Sequence, residues 1–360
     1  MKDMFNVIDD IKEALKTHPD HRLNKTQDYF EKFSKRISEI QERTMILSSK
    51  AKRGKLLTKL QLGKVSDPQQ YYQAVCEVML WSWFAEQGYK FETDKKISEE
   101  NHSDVDIQVR YDDWTFNIEV KCPIVQASAE KDSLVLSTPF RTVEKNTFDE
   151  GIKILCKDVL EPAIQKTDSS FKDIRIEKNN DNKLVEYLRS AQTKFKNSDE
   201  KTLNILFVGL PLKQMECYYG YLENGYTGIF TGRNPIMRAE EYNKTDIVVL
   251  SSMIEGHLYY NDSYDSWDLK NYFNLFLMNP HTATPAKHAL YAQVLKMIPN
   301  DTMRFEEFFD KFYESAKNEE EANKEAILAE TLMLLLFPHY LDRYYTKMWR
   351  RQDSTQLEPE

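Results

Sequence analysis

The strongest local pattern in the chain runs from Asp104 to Lys121 and reads DVDIQVRYDDWTFNIEVK. Apolar and polar residues alternate on both sides of Asp112-Asp113, with the period of a β-strand. Two such runs joined by two turn residues are typical of a β-hairpin. The alternating apolar positions are Val105, Ile107, Val109, Phe116, Ile118 and Val120. We therefore predict two antiparallel strands that meet at Asp112-Asp113.

The register of this hairpin brings charged side chains together. With a two-residue turn, Asp106 lies opposite Glu119 and Asp104 lies opposite Lys121. Two carboxylates that face each other across antiparallel strands are roughly 5 Å apart and repel. A divalent cation relieves that repulsion, and Mg²⁺ favours one or two carboxylates together with water and phosphate oxygens. Lys121 beside the cation would orient a water molecule or neutralise charge on a phosphate.

The helix predicted before the hairpin carries a further carboxylate. Asp67-Pro68 is a helix-start signal and Gly88 a stop signal. Between them, Glu77 falls on a stripe of apolar residues at helical spacing, with Ala74, Trp81 and Phe84. A carboxylate on a buried stripe is costly unless it is paired or bound to a metal. Glu77 therefore points toward the hairpin site, or a small rotation of the helix leaves it at a polar boundary.

At these residues the chain resembles the PD-(D/E)XK nuclease superfamily. The matching elements are a helix with Glu77, a strand with Asp106 and a strand that closes on Ile118-Glu119-Val120-Lys121. An amphipathic helix at 184–195 and a strand at 203–209 are similar to the rest of that family's core, so the resemblance covers about residues 70–125 and 183–210. It implies an α/β fold with a restriction-endonuclease-like mixed-sheet core of order αβββαβ and helical additions at both ends.

The resemblance also implies roles for the residues. Asp106 and Glu119 would hold Mg²⁺, for which Mn²⁺ could substitute, Lys121 would assist the water and Glu77 would support the site. Asp104 is the alternative first acidic ligand, two residues before Asp106 in the same strand. Lys194, on the helix after the hairpin, faces either the cleft or the solvent.

Charge and motifs restrict the function. The 360 residues include 49 Lys and Arg against 58 Asp and Glu, a net charge of −9. Neither a P-loop nor a G-x-G-x-x-G motif occurs, so we expect no nucleotide-driven motor in this chain. Residues 43–64 are basic without one acidic residue, and this run is either a phosphate-tracking surface that binds DNA or a solvated helix face. It includes Lys50, Lys52, Arg53, Lys55 and Lys59.

The cysteines and apolar runs indicate the compartment. The four cysteines are widely spaced and form no C-x-x-C pair, which favours free thiols in a reducing environment. No apolar run is long enough to span a membrane, and residues 1–16 lack the apolar core of a signal peptide. We therefore expect a cytoplasmic protein with no membrane partner.

The predicted organisation has three parts. Residues 1–66 form a helical N-terminal region that could contact DNA, residues 67–255 a nuclease core with an insertion at about 127–180, and residues 256–360 a mainly helical region. The predicted activity is Mg²⁺-dependent DNA endonuclease, and a restriction or anti-phage defence role follows only by analogy. A homodimer is expected, since cutting both strands needs two sites. The alternatives are a non-catalytic α/β interaction protein and an RNA-directed nuclease of the same fold.

Overall fold

The protein is described by a computed structural model. The residues that the structure describes are 7–62, 68–97, 104–123, 133–137, 150–151, 153–177, 180–223, 228–230, 235–260, 265–282, 294 and 297–299. The chain divides into two compact units, Met1–Asn300 and Asp301–Glu360, and all described residues belong to the first.

Among the described residues, four helices precede the first strand. They are α1 (Val7–Lys16), α2 (Gln27–Arg43), α3 (Lys50–Lys59) and α4 (Pro68–Glu86), with a 3-10 turn at Arg22–Asn24. Side chains cap two of them, because Thr26 accepts a hydrogen bond from the Tyr29 amide and Ser49 from the Lys52 amide. The predicted start and stop of α4 are confirmed: the helix begins at Pro68, and Gly88, just beyond its end, has a φ of 73°.

A mixed sheet of six strands forms the centre of the unit, so the predicted α/β class is confirmed. Its strands are β1 (Lys90–Lys96), β2 (Asp104–Tyr111), β3 (Trp114–Lys121), β6 (Thr202–Gly209), β7 (Ile247–Ser251) and β8 (Asn274–Met278). The strand order is β1-β2-β3-β6-β7-β8, in which β3, β6 and β7 run parallel and the other neighbours antiparallel.

The remaining elements connect these strands. Within the expected insertion, β4 (Ser133–Ser137) and β5 (Asp173–Glu177) form a separate parallel pair, and a π-helix at Leu155–Leu160 continues into α5 (Glu161–Thr167). The helices α6 (Asn180–Lys194), α7 (Leu212–Glu223) and α8 (Glu255–Leu258) follow, with 3-10 turns at Ala239–Glu241 and Leu269–Asn271. The insertion thus contains strands that its sequence did not predict.

The hairpin has the predicted register. Tyr111 pairs with Trp114 and Ile107 with Ile118, and Asp112 occupies the left-handed region with a φ of 51°. Asp tolerates this backbone conformation better than most residues because its short side chain hydrogen-bonds locally. The two-residue turn predicted from the sequence is therefore confirmed.

The two hairpin strands part immediately beyond Ile107–Ile118. There β2 continues paired with β1, up to Lys96–Asp104, whereas β3 continues paired with β6, up to Lys121–Val208. The predicted pairings of Asp106 with Glu119 and of Asp104 with Lys121 therefore lie beyond the paired part of the hairpin, and Asp104 pairs only with Lys96 of β1 on its other side. The opening between the strands places Asp106 and Glu119 at a break in the sheet.

The polar side of the hairpin is buried. Gln108 donates a hydrogen bond to Asn117 and Asn117 donates one to Asn204, both at 2.9 Å, which forms an amide ladder across β2, β3 and β6. Asn204 in turn donates to the carbonyl oxygens of Lys196 and Lys244. Buried amides are costly without such partners, so this face is built to be covered by the protein rather than by water.

The sheet extends further along the chain than expected. The strand β8 lies at 274–278, within the range assigned to a mainly helical region from residue 256, and it pairs with β7. Its five residues are too short a run for helical and strand periods to be told apart. The helices expected after residue 300 lie outside the described residues. No helix in the described part of the chain combines the length and apolarity needed to cross a bilayer.

Candidate active site

Glu119 lies at the centre of the candidate site. Its side chain, on β3, is fully buried, and its Oε1 atom accepts hydrogen bonds from Lys121 Nζ at 2.6 Å and Lys194 Nζ at 2.5 Å. The other oxygen, Oε2, is buried without a hydrogen-bond partner among the described residues. A buried oxygen in this state costs about 1–3 kcal/mol, so Glu119 presents an unsatisfied acceptor inside the protein.

Asp106 lies where the two strands part. It is 9% exposed, and its Oδ2 atom accepts a 2.7 Å hydrogen bond from the backbone amide of Val120. This hydrogen bond forms where the backbone pairing of β2 with β3 has ended beyond Ile107–Ile118. It holds the Asp106 carboxylate beside β3, the strand that carries Glu119.

Glu77 reaches the same region from α4. The residue is 2% exposed, and its Oε2 atom is 2.5 Å from the Lys59 Nζ atom. Burial, followed by the negative charge of Asp106, raises the pKa of Glu77 to about 8, against the lowering effect of Lys59. The prediction that this glutamate points into the molecule is confirmed.

The three carboxylates share one electrostatic field. Burial is the largest cause that raises the pKa of Glu119, and Asp106 is the second. Burial alone would lower the pKa of Lys194, but Glu119, Asp106 and Glu77 together raise it. The charge of Asp106 therefore acts on both glutamates, and all three acidic groups stabilise the protonated form of Lys194.

A fourth carboxylate, that of Asp94 on β1, lies at the edge of the site. Lys59 Nζ is 3.0 Å from Asp94 Oδ1, and Lys55 Nζ is 3.6 Å from Oδ2. The Lys59 side chain is 25% exposed, against 61% for that of Lys55. The two lysines thus lead from the buried carboxylates to the surface of α3.

The structure separates the residues of the predicted basic run. Lys50, Lys52 and Lys55 are exposed on α3, as a nucleic-acid-binding surface requires. Arg53 is buried instead, with its Nε atom 3.6 Å from Asp10 Oδ2 on α1. Lys59 belongs to the candidate site. Only part of the run therefore remains available to a partner.

The structure brings together Glu77, Asp106, Glu119 and Lys121, and it adds three residues to them, Lys59, Asp94 and Lys194. The sequence left the direction of Lys194 open, because helical periodicity places it at the edge of the buried stripe. Asp94 went unnoticed, since β1 lacks clear alternation and its register with β2 could not be derived. Asp104 is half-buried at the start of β2, opposite Lys96.

No protein-family model, curated protein or solved structure matches the chain. The function must therefore be inferred from the site itself.

Among the described residues, no group of three or more His, Cys, Asp and Glu side chains is arranged as a ready-made metal cage. The donors present are carboxylate oxygens, the ligand type that Mg²⁺ prefers, and Mg²⁺ is commonly held by only one or two of them with water. Asp106 and Glu119 fit that requirement.

Proposed function

We propose that the chain is a Mg²⁺-dependent nuclease that hydrolyses phosphodiester bonds of DNA at Glu119, Asp106 and Lys121. The observation that carries the proposal is the buried Glu119 carboxylate, which has one oxygen held by two lysines and the other without a partner. An acceptor left open beside a second carboxylate is suited to a cation. Asp106 and Glu119 would hold that cation, with Glu77 close to them.

The bound cation would polarise the phosphoryl group and lower the pKa of a water molecule. The lysines supply the remaining chemistry. An ammonium group has three N–H donors, so Lys121 and Lys194 each keep donors beyond the one used on Glu119. These donors would hold a phosphate oxygen and stabilise the charge that develops on it.

The balance of charge also favours a phosphodiester. At neutral pH Glu77, with a pKa of about 8, is largely protonated, so three ionised carboxylates are balanced by three ammonium groups. A divalent cation then gives the site a net positive charge, which attracts the negatively charged phosphodiester. The groups counted are Glu77, Asp94, Asp106, Glu119, Lys59, Lys121 and Lys194.

Two features of the fold support a nuclease that acts on a polymer. The chain contains the αβββαβ order of elements of the PD-(D/E)XK core, with the insertion between β3 and α6. The elements in this order are α4, β1, β2, β3, α6 and β6. The exposed lysines of α3 lie beside the site. One of them, Lys55, connects this helix to the site through its ion pair with Asp94. A row of ammonium groups beside the site suits a backbone with many phosphates.

A cleavage assay tests the proposal. Supercoiled plasmid, short duplex DNA and RNA would be incubated with the wild type in Mg²⁺ and in EDTA, and with Glu119→Gln and Lys121→Met in Mg²⁺. We expect Mg²⁺-dependent cleavage of DNA that falls at least about 100-fold in both variants. Glu92→Gln is the matched control, because Glu92 is an exposed carboxylate of β1 that pairs with Lys95 at 2.7 Å; its activity should equal that of the wild type.

Cleavage by Glu119→Gln at the wild-type rate would contradict the assignment of the site. The absence of cleavage by a folded wild type on all substrates would contradict the enzyme and favour an interaction protein. Cleavage of RNA alone would show that the substrate is RNA instead of DNA, and the assignment of the site would stand.

A further inference from the structure

Lys59 differs from the other lysines of α3. It is the last residue of that helix, and its side chain enters the site instead of the solvent. The Nζ atom is 2.5 Å from Glu77 Oε2, 3.0 Å from Asp94 Oδ1 and 5.8 Å from the centroid of the Trp81 ring. Two carboxylates and an aromatic face are a strong environment for a cation.

Asp94 is held in an unusual backbone conformation at this position. In the register of β1 and β2 it falls opposite Asp106, between the pairs Thr93–Ile107 and Lys95–Val105. Its φ is 49°, in the left-handed region that residues other than glycine seldom occupy, least of all within a strand. Such strain persists only where the surrounding structure enforces it, and it is concentrated at functional sites.

The arrangement leaves three acidic groups around one ammonium group. Glu77 and Asp94 contact Lys59 directly, and the charge of Asp106 also stabilises the protonated lysine. Enzymes that hydrolyse phosphodiesters often use two divalent cations, one on each side of the reacting phosphate. Here Glu119 has an open oxygen, and the Glu77 and Asp94 carboxylates already hold a cation that belongs to the chain.

We propose that the site binds one divalent cation, at Asp106 and Glu119, and that Lys59 permanently takes the place of a second cation between Glu77 and Asp94. This inference rests on the proposed function, since it assumes that the first cation is bound. It assigns Lys59 a role distinct from that of Lys121 and Lys194, which contact Glu119. It also explains why a basic helix outside the strand core ends in the acidic site.

The number of bound ions tests the inference without an activity measurement. Mn²⁺ binding would be followed by electron paramagnetic resonance and by isothermal titration calorimetry on the full chain. We expect one ion per wild-type chain. Lys59→Met removes the resident charge and frees Glu77 Oε2 and Asp94 Oδ1, the two oxygens that Lys59 contacts, so this variant should bind two ions. Lys59→Arg keeps the charge and should bind one.

Lys16→Met is the matched control, because Lys16 on α1 is exposed and forms an ion pair of the same 2.5 Å length with Glu13. It should bind one ion, like the wild type. Thermal unfolding checks that each variant is folded. If Lys59→Met does not fold, Lys59→Gln retains a polar side chain without charge and is expected to bind two ions.

The outcomes distinguish this inference from the function on which it rests. Two Mn²⁺ ions in the wild type, or one ion in the folded neutral variants of Lys59, would overturn the role of Lys59 and leave the nuclease proposal intact. One ion in those variants with a lowered melting temperature would show that Lys59 only anchors α3. A wild type that binds no Mn²⁺ would overturn the metal site, and with it both proposals.

Discussion

Glu119 illustrates how the site departs from what stability alone would favour. Its carboxylate is fully buried beside Asp106, and two lysines share one of its oxygens while the other has no partner among the described residues. Replacing buried ionic groups with well-packed apolar residues is often neutral or stabilising. A cluster of this kind therefore indicates a function other than holding the fold together.

The pH dependence of folding should report on Glu77. Its pKa in the folded protein is about 8 instead of the usual 4.5, so the folded state binds this proton more tightly than the unfolded state does. The resulting contribution to the free energy of unfolding is complete below pH 4.5 and is lost as the pH rises through 8. Glu77→Gln removes this titration. The free energy of unfolding of the variant, relative to that of the wild type, should therefore rise by more than about 1 kcal/mol when the pH is raised from about 5 to about 9.

Urea unfolding in EDTA at about pH 5, 7 and 9 measures this difference. Glu92→Gln is the control. The pKa of Glu92 is lowered by its hydrogen bond to Lys95, so its contribution is present above pH 4.5 and lost only in more acidic solution. The difference in the free energy of unfolding between Glu92→Gln and the wild type should stay constant over the same pH range. Parallel pH profiles for Glu77→Gln and the wild type would contradict a raised pKa at Glu77.

At the scale of elements, the site depends on the close approach of α4 to the sheet. A Cβ atom placed on Gly209, at the end of β6, would lie 2.4 Å from the Sγ atom of Cys76. Cys76 precedes Glu77 in α4 and is fully buried. The absence of a side chain at residue 209 thus lets the helix lie near enough to the sheet for Glu77 to reach the site.

Gly209→Ala should therefore destabilise the protein. The added methyl group meets Cys76 and lies 3.4 Å from both Ile254 and Met253, so the free energy of unfolding should fall by about 1–3 kcal/mol. Urea unfolding measures the change. Gly220→Ala, in α7, is the control: nothing lies within 4 Å of its Cβ position, and alanine favours a helix by about 1 kcal/mol.

A double-mutant cycle identifies the contact responsible. Cys76→Ala removes the sulfur atom that the new methyl group meets, so the double variant should be more stable than the sum of the two single changes implies. Strict additivity would show that Gly209 is required for another reason.

At the scale of the molecule, the N-terminal helices belong to the same compact unit as the sheet. Tyr29 and Phe33 of α2 pack on Trp267, with ring centroids 5.3 and 4.9 Å apart. Arg36 of the same helix donates a 2.7 Å hydrogen bond to Asp265 and lies 3.6 Å from Glu86 at the end of α4. The helical region thus joins segments that are more than 200 residues apart in the chain.

Arg36→Gln should weaken this connection. The Arg36 side chain is 9% exposed, and its removal leaves acidic groups from three segments without their common partner. We expect the free energy of unfolding to fall by about 3 kcal/mol in urea. Lys35→Gln, an exposed position on the same helix, should change it by less than about 0.5 kcal/mol. Equal stability of the two variants would show that the α2 contacts with Trp267 suffice.

Much of the site could be predicted because its signals are local. The alternation of the hairpin and its two-residue turn determine the register from Ile107 to Ile118, and helical spacing places Glu77 on the buried stripe of α4. Whether the catalytic roles assigned to these residues are correct stays a prediction. The short strands β4, β5 and β8 were missed, because five residues contain too little periodicity to separate a strand from other structure.

By itself, then, the sequence determined the hairpin, its register and the buried face of α4, since backbone geometry sets the period of a strand at two residues and of a helix at 3.6. Only the tertiary structure decided that β2 and β3 part beside Asp106, that Lys194 turns to Glu119, and that Lys59 lies between Glu77 and Asp94. These contacts join residues distant along the chain, and packing and electrostatics determine them without leaving a local pattern.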